Sequence, residues 1–447
     1  MDTKVLPSYV IAVLVLLVFK AAILFSLALN DPATYVMGDG FEYIDNAQTL
    51  STFGLFPDDP ANEAIKRSLY RLPGYPAFLM LTRIVDGDAQ VAIWSAVQLT
   101  LLHVWLFIVG CWLYRRYGDG SATFFVVALS LTLPWLHYPV VVHADFQFAV
   151  LFFSGALFLM CASAPDAPSA KLTSSTGLCM AAAAMTRPDM IFFPFWLLLG
   201  GIGILMWNRF RTPVQPVLRA APSFIVGAVL IAVMIAWALR NYAVAGRLSY
   251  TSVTDTVVRY FADQAGDQAV HGLDAGRGLL EVVRLMFLNV SKIALDFFPA
   301  LAEIFFNPSR WYLHFYAEGW GIDLPSRGIP LTEIGFWNLP TVEYVYLAIG
   351  FLIPVALFSI FAFALCQITM NRGAEARPLL ALLGWAAAYL VVQKGIWGAL
   401  TPGSGQRYGM SILPFVAYLG ALVFATRAQT DGASRLTATR AHPQADR

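Results

Sequence analysis

The sequence has few charged residues for its length. Only 13% of its 447 residues are charged, whereas a typical soluble chain has about 25%. Hydrophobic residues make up 58% of the chain, and the mean hydropathy is +0.64. The formal net charge is only +1, and no basic or aromatic nucleic-acid motif occurs. These features exclude a nucleic-acid-binding protein and indicate an integral membrane protein.

Cysteine is also scarce. Cys111, Cys161, Cys179 and Cys366 lie singly in apolar segments, with no CxxC pair and no metal-ligand spacing. We therefore expect packed thiols rather than disulfides or a zinc site. The chain also lacks an internal repeat of the kind that relates the two halves of many transporters.

Long apolar runs dominate what is present. They lie near 8–29, 89–113, 121–138, 145–163, 171–186, 188–207, 217–239, 343–369, 378–400 and 408–426. Since about 20 helical residues cross a bilayer, the runs predict an all-α polytopic membrane protein with about ten transmembrane helices. The first run is too long for a signal-peptide core, so we expect it to be retained. Pro188 predicts a break between the fifth and sixth helices.

The positions of Lys and Arg predict the orientation, because cytoplasmic loops carry the excess of both. The basic connections are 115–120, Lys171, 208–219, 371–377 and the C-terminal tail. They share one side with Met1, so we expect both termini to be cytoplasmic. Two long loops, 31–88 and 241–342, then lie outside and carry juxtamembrane helices.

This pattern divides the chain into four parts. They are a transmembrane module at 1–240, which includes the first outer loop, a second extracytoplasmic loop at 241–342, C-terminal transmembrane helices at 343–427, and a disordered cytoplasmic tail at 428–447. Within the second loop, the apolar segment 285–306 carries three charges. We expect an interfacial or a re-entrant helix there.

The segment GDGFEYIDNAQTL at 38–50 places acids directly after the first span. We expect a short helix on which Asp39, Glu42, Tyr43 and Asn46 share one face. Asp39 followed three residues later by Glu42 also fits a helix N-cap. The local sequence therefore leaves capping and catalysis as alternatives for Asp39.

Further ionisable residues fall at the predicted outer ends of helices. They are His143, Asp145, Arg187, Asp189, Arg240, Arg247 and Arg407. In the first outer loop, Arg71 precedes a Pro, Gly and Pro turn that returns toward the bilayer. Such groups at membrane depth suggest a site, although arginines also anchor helices at the interface. His137 and His143 lack a metal-ligand spacing, so we expect core hydrogen bonds rather than metal ligation. Arginines that stabilise a phosphate, beside a carboxylate that accepts a proton, fit glycosyl transfer from a polyprenyl-phosphate sugar.

Five motifs carry a resemblance to a known family. They are GDGFEYIDNAQTL, RLPGYPAFL at 71–79, MTRPDMIFFPF at 185–195, ALRNYAVAGRLSY at 238–250 and GQRYGMSILPFVAY at 405–418. In this order the chain resembles the multi-spanning C-fold glycosyltransferases. It is most similar to bacterial relatives of the dolichyl-phosphate-mannose protein mannosyltransferases and the aminoarabinose lipid A transferases (glycosyltransferase family 39-like).

The resemblance implies an inverting transferase in the bacterial cytoplasmic (inner) membrane, with its active site outside. A polyprenyl-phosphate sugar would be the donor, and a glycolipid, polysaccharide or protein the acceptor. It implies catalytic roles for Asp39, Glu42 and Asp145, with Asp39 as the base. It also implies donor phosphate binding by Arg71, Arg187, Arg240 and Arg407, and substrate positioning by Tyr43, Tyr75, His143 and Tyr408. Some relatives use a divalent metal and others do not, so no cofactor is predicted.

Three other readings remain open. A polysaccharide polymerase or ligase would also use lipid-linked sugar outside the membrane, but from a lipid-diphosphate donor. A secondary transporter would place charges near helix midpoints, where only Lys20 and Lys394 lie. A non-catalytic membrane scaffold is the third alternative.

Overall fold

A computed structural model describes most of the helical part of the chain. It describes residues 6–30, 36, 39–56, 72–85, 87–165, 169–210, 217–246, 248, 250, 290–306, 317, 341–371, 377–400 and 409–425. The helices are α1 (Ser8–Asn30), α2 (Gly40–Phe53), α3 (Gly74–Leu81), α4 (Asp88–Tyr117), α5 (Asp119–Ser130), α6 (Leu133–His137), α7 (Ala144–Ala162), α8 (Ser169–Thr186), α9 (Phe193–Phe210), α10 (Ala221–Ala245), α11 (Val290–Phe306), α12 (Thr341–Asn371), α13 (Arg377–Leu400) and α14 (Gly409–Ala425). No strand occurs among these residues, and an isolated bridge pairs Val36 with Val142.

The predicted class, an all-α polytopic membrane protein, is confirmed. Within the described ranges, 6 helices are long and apolar enough to cross a membrane. They are Ser8–Ser26, Ala89–Tyr117, Ala144–Ala162, Pro188–Phe210, Ala221–Val244 and Val345–Cys366. The other four predicted runs also form helices, α5, α8, α13 and α14. Their described apolar parts are shorter or less apolar, so the estimate of about ten spans stays a prediction.

Prolines set two of the helix boundaries. Pro188 begins a short 3₁₀ turn, Pro188–Met190, which separates α8 from α9 as predicted. The predicted continuous helix at 121–138 is wrong, because the chain breaks after Ser130 and restarts as α6 with Pro134 in its first turn. Proline lacks the N–H that an unbroken helix would need at this position.

Helix α7 lies at the centre of the described core. It packs against α8 and α13, and the side chains of Phe148, Phe152 and Phe153 are fully buried. Gly155 permits close approach of α8, because an added Cβ would lie 2.9 Å from Met180. This packing brings the start of α7, the end of α8 and the C-terminal half of α13 to one end of the bundle.

The predicted apolar helix of the second outer loop is present as α11. It packs against α13 and α12, with Phe297 closely against Gly395 and the Phe305 ring 4.6 Å from that of Phe358. Whether α11 is interfacial or re-entrant stays a prediction. Most of loop 241–342 and the tail at 428–447 lie outside the described residues.

All four cysteines are free thiols, as predicted. Cys111, Cys161 and Cys179 are half-buried, whereas Cys366 is exposed on α12. The expectation of a packed thiol is therefore wrong for Cys366, because an apolar sequence context alone does not distinguish an exposed face of a helix from the core.

Candidate functional site

Asp39 immediately precedes α2 and lies close to the segment before α7. Val36 pairs with Val142, and a Cβ on Gly40 would lie only 2.6 Å from the carbonyl oxygen of Val142. The absence of a side chain at Gly40 thus permits this close approach. Asp39 makes no side-chain capping hydrogen bond to the described start of α2, so the capping alternative is not realised. Its side chain keeps 26% of its surface exposed.

His143 faces Asp39 from the opposite segment. Its backbone is extended, it immediately precedes α7, and the residue is 3% exposed. Its Nε2 lies 3.7 Å from Asp39 Oδ2, and its Nδ1 lies 2.7 Å from Asp145 Oδ2. The backbone N–H of Asp145 also lies near Nδ1, at 3.3 Å. Since one ring nitrogen cannot donate and accept at once, we assign the shorter contact as Nδ1–H donating to Asp145.

A buried chain of charged groups continues from Asp145. Its second oxygen accepts a hydrogen bond from Nη1 of Arg187, whose Nε donates to Asp189 Oδ2 at 2.7 Å. Lys394 Nζ also donates to Asp189 Oδ2, at 2.5 Å, and Gln393 Nε2 donates to Oδ1 at 2.9 Å. The four charged residues are at most 7% exposed. Two carboxylates and two cations balance, as buried charges must.

The TRPD motif builds the middle of this chain through its local backbone. Helix α8 ends at Thr186, and Arg187 is extended because Pro188 follows it. This conformation places Arg187 and Asp189 side by side. Tyr389 of α13 donates to the backbone carbonyl of Asp189, and Tyr250 donates to that of Ala184. Burial, with a further contribution from Asp189, raises the pKa of Tyr250, so it stays a neutral donor.

Two predicted tyrosines support His143 from α2 and α3. The Tyr43 ring meets those of Tyr75 and His143 edge-on, with centroids 5.0 and 5.9 Å apart. Tyr75 donates to Gln98 Oε1 at 2.8 Å, and Gln98 donates to the Val141 carbonyl at 3.0 Å. Burial raises the pKa of Tyr75 well above its usual value. Both tyrosines are almost fully buried, and their predicted contact with substrate stays a prediction.

The remaining predicted site residues are placed differently. Glu42 is exposed, whereas Tyr43 and Asn46 are buried; Glu42 therefore lies at the exposed edge of the face predicted for α2. Arg240, at the end of α10, donates to the Leu55 carbonyl at 2.8 Å and lies 4.7 Å above the ring of Trp237. Four predicted residues lie outside the described part of the chain, namely Arg71, Arg247, Arg407 and Tyr408.

A pocket of about 300 Å³ lies on the other side of α2. Its apolar wall includes Phe41, Ile44 and Trp94, and Arg83 lies at its edge. Gln90 holds the backbone of one wall, because its Oε1 accepts hydrogen bonds from the N–H groups of residues 84 and 85 at 2.7 and 2.9 Å. In the described chain, no group of three or more His, Cys, Asp or Glu residues could hold a metal ion.

Besides Gln393, sequence reasoning leaves Lys394 unassigned to the site. Its signal was an ionisable residue inside an apolar helix, which is costly without a partner. Lys20 gives the same signal, but its Nζ donates to the backbone carbonyl of Trp135 at 2.9 Å. The sequence alone does not distinguish the two lysines, because their partners are far away along the chain.

Comparisons with known proteins identify no relative. No protein-family model, curated protein or solved structure matches the chain. The resemblance to the multi-spanning glycosyltransferases therefore stays a prediction that depends on the sequence motifs.

Proposed function

We propose that this membrane protein transfers a sugar from a polyprenyl-phosphate donor to an acceptor outside the bacterial cytoplasmic membrane. One observation carries the proposal. Asp39 is a partly exposed carboxylate that caps no helix, and it lies at the edge of a buried, charge-balanced network. A partly exposed carboxylate on a residue whose backbone is held at the start of α2 suits a general base.

In the proposed reaction, Asp39 accepts the proton of the acceptor hydroxyl. The hydroxyl oxygen bonds to the anomeric carbon while the bond from that carbon to the phosphate oxygen breaks. The electron pair leaves with the lipid phosphate, and a single displacement inverts the anomeric configuration. Arginines nearby would stabilise the negative charge on the phosphate.

The arginines are given separate roles in the proposal. Arg187 is buried and bonded to two carboxylates, so we assign it mainly to holding the network. Arg240 is equally buried, but its hydrogen-bond partners in the described chain, the Leu55 carbonyl and Asn241, are neutral. We therefore keep Arg240, near the end of α10, as a proposed phosphate ligand. We also assign Arg71 and Arg407 to the proposed phosphate site, because both lie in the sequence motifs that carry the resemblance. Exposed Glu42 would contact the acceptor.

The orientation in the proposal follows from the basic connections, which put both termini in the cytoplasm and Asp39 outside. The acceptor would then be a glycolipid or an envelope polysaccharide, with a protein as a further class. Membrane lipid surrounds the helices and presents the donor from within the bilayer.

Membranes containing the wild-type chain or Asp39→Asn test this function. Each is given radiolabelled polyprenyl-phosphate hexoses and pentoses, or the matching polyprenyl-diphosphate sugars. We expect transfer from a monophosphate donor, and a loss of about 100-fold or more in Asp39→Asn. Asp45→Asn is the matched control, because Asp45 is an exposed acid on the same helix. Transfer only from diphosphate donors, or full activity in Asp39→Asn, would contradict the proposal.

The envelope glycolipids of a deletion strain give an independent test. We expect mass analysis to show the loss of one hexose or pentose, which would name the sugar and the acceptor class. Complementation with Asp45→Asn should restore that sugar, and complementation with Asp39→Asn should not. An unchanged glycolipid and polysaccharide profile would count against an envelope acceptor.

A further inference from the structure

We infer that His143 is a positioning residue that also takes the transferred proton from Asp39, and that Asp145 fixes the ring for this purpose. The inference rests on the proposed function for the identity of the reaction. Its structural part, a histidine held between two carboxylates, stands on the contacts of the described residues alone.

The orientation of the ring is the first step of the argument. Nδ1 lies 2.7 Å from Asp145 Oδ2, and a carboxylate can only accept a hydrogen bond. Nδ1 therefore carries a hydrogen, and neutral His143 keeps its lone pair on Nε2. A carboxylate that fixes the tautomer in this way also stabilises the imidazolium that forms on protonation.

The direction of Nε2 is the second step. It points to Asp39, at 3.7 Å from Oδ2, which is about 1 Å beyond a hydrogen bond. Catalytic contacts of this kind are often long before substrate binds, and the partly exposed Asp39 side chain has room to approach. When Asp39 has taken the acceptor proton, it can donate that proton to Nε2.

The third step of the argument is that both carboxylate oxygens of Asp145 already have protein partners. One oxygen contacts His143 and the other accepts from Arg187, and the residue is 5% exposed. Both oxygens therefore contact protein groups, which favours a role in holding His143 over the catalytic role that the resemblance implies for Asp145. Arg187 and Lys394 balance Asp145 and Asp189, so a proton on His143 adds a positive charge that attracts Asp39, 3.7 Å away.

The other groups around His143 are compatible with this role. The rings of Tyr43 and Tyr138 lie edge-on to it at 5.9 and 5.3 Å. His137 and Tyr75 are its other titratable neighbours. Within the described chain, Asp39 and Asp145 are the carboxylates that lie within 4 Å of the ring. They are therefore the acids with which His143 can exchange a proton.

The ring can be tested without any sugar. We expect ¹⁵N NMR of histidine-labelled protein in nanodiscs to show neutral His143 with its hydrogen on Nδ1, the signal being assigned by its loss in His143→Asn. Asp145→Asn should remove the preference for Nδ1–H, and Asp39→Asn should keep it. Hydrogen on Nε2 in the wild-type protein would overturn the inference, because Nε2 could not then accept a proton.

The kinetic test uses the donor that the proposed function identifies. His143→Asn keeps a donor near Asp145 but has no basic nitrogen near Asp39. We expect it to lower kcat about 100-fold with KM within about twofold, and Asp145→Asn to lower kcat about 10-fold. Unfolding temperatures near that of the wild-type protein should accompany these losses. Wild-type kcat in His143→Asn would contradict the inference.

The two tests separate the two proposals. If the expected tautomer is found but no sugar is transferred from any donor, the placement of His143 between Asp39 and Asp145 is supported and the proposed glycosyltransferase activity is refuted. If sugar transfer requires Asp39 but not His143, the proposed transferase activity is supported and the proton transfer from Asp39 to His143 is refuted.

Discussion

Lys394 donates a hydrogen bond of 2.5 Å to Asp189, a residue 205 positions earlier in the chain. This contact joins the C-terminal half of α13 to the turn between α8 and α9. It also completes the charge balance of the network behind Asp39. An ion pair so deeply buried is worth little net stability, but removal of one partner leaves the other charge uncompensated.

We therefore expect Lys394→Met to lower the free energy of unfolding by about 3–5 kcal/mol. Asp189→Asn should have a similar effect, and the double variant should lose less than the sum of the two. The free energies of unfolding of the wild-type, single-variant and double-variant proteins, measured in detergent, give this coupling as a double-mutant cycle. Lys20→Met is the matched control, since Lys20 donates to a backbone carbonyl and its effect should add to that of Asp189→Asn. Additive losses for Lys394→Met and Asp189→Asn would show that the pair is not coupled.

Gly40 should not tolerate a side chain. A Cβ at this position would lie 2.6 Å from the Val142 carbonyl, so Gly40→Ala must push α2 away from the segment before α7. We expect a loss of about 1–3 kcal/mol of stability and reduced sugar transfer, because Asp39 moves from His143. Gly177→Ala is the control, because nothing lies within 4 Å of its added Cβ. Equal unfolding temperatures for the two variants would rule out the close approach.

Tyr75 should make stability depend on alkaline pH. Its folded-state pKa is raised by burial, and next by Tyr43. Its contribution is therefore complete below the ordinary tyrosine pKa of about 10 and is lost as the pH rises above it. At pH 8 we expect Tyr75→Phe to cost about 1–3 kcal/mol, because Gln98 loses its donor.

The difference in unfolding temperature between wild type and Tyr75→Phe should then shrink from pH 9 to pH 11. Tyr242→Phe serves as the comparison, since Tyr242 is 58% exposed on α10. A constant difference across this pH range would place the Tyr75 hydroxyl in contact with water.

Trp196 and Trp385 should couple α9 to α13. Each indole Nε1 donates to the backbone carbonyl of the other residue, at 2.9 and 3.0 Å, and the rings stack 4.3 Å apart. We expect each Trp→Phe variant to be destabilised, with a coupling energy of about 0.5–1.5 kcal/mol in the double-mutant cycle. Thermal unfolding in detergent measures this. Zero coupling would mean that the two rings act independently.

The fold could be predicted from local pattern to a large extent. Every predicted apolar run contains a helix, and Pro188 ends one where expected. The prediction of one continuous helix is wrong at 121–138, because Pro134 interrupts it. Local pattern also does not predict the exposure of Glu42, which depends on the packing of α2. Predicted site residues such as Asp39, His143 and Arg187 do lie at one end of the bundle. The position of Lys394 beside them could be seen only in the tertiary structure, because its partner Asp189 is distant in sequence.

The sequence by itself determined that the chain is a helical membrane protein, because hydropathy and helix-breaking prolines act over short distances along the chain. Only the tertiary structure decided which charges meet. The partners of Asp145 and Asp189 include residues 42 and 205 positions away, and no local pattern encodes such separations. Burial then requires each of these charges to have a partner, so the packing of α7, α8 and α13 fixes the network beside Asp39.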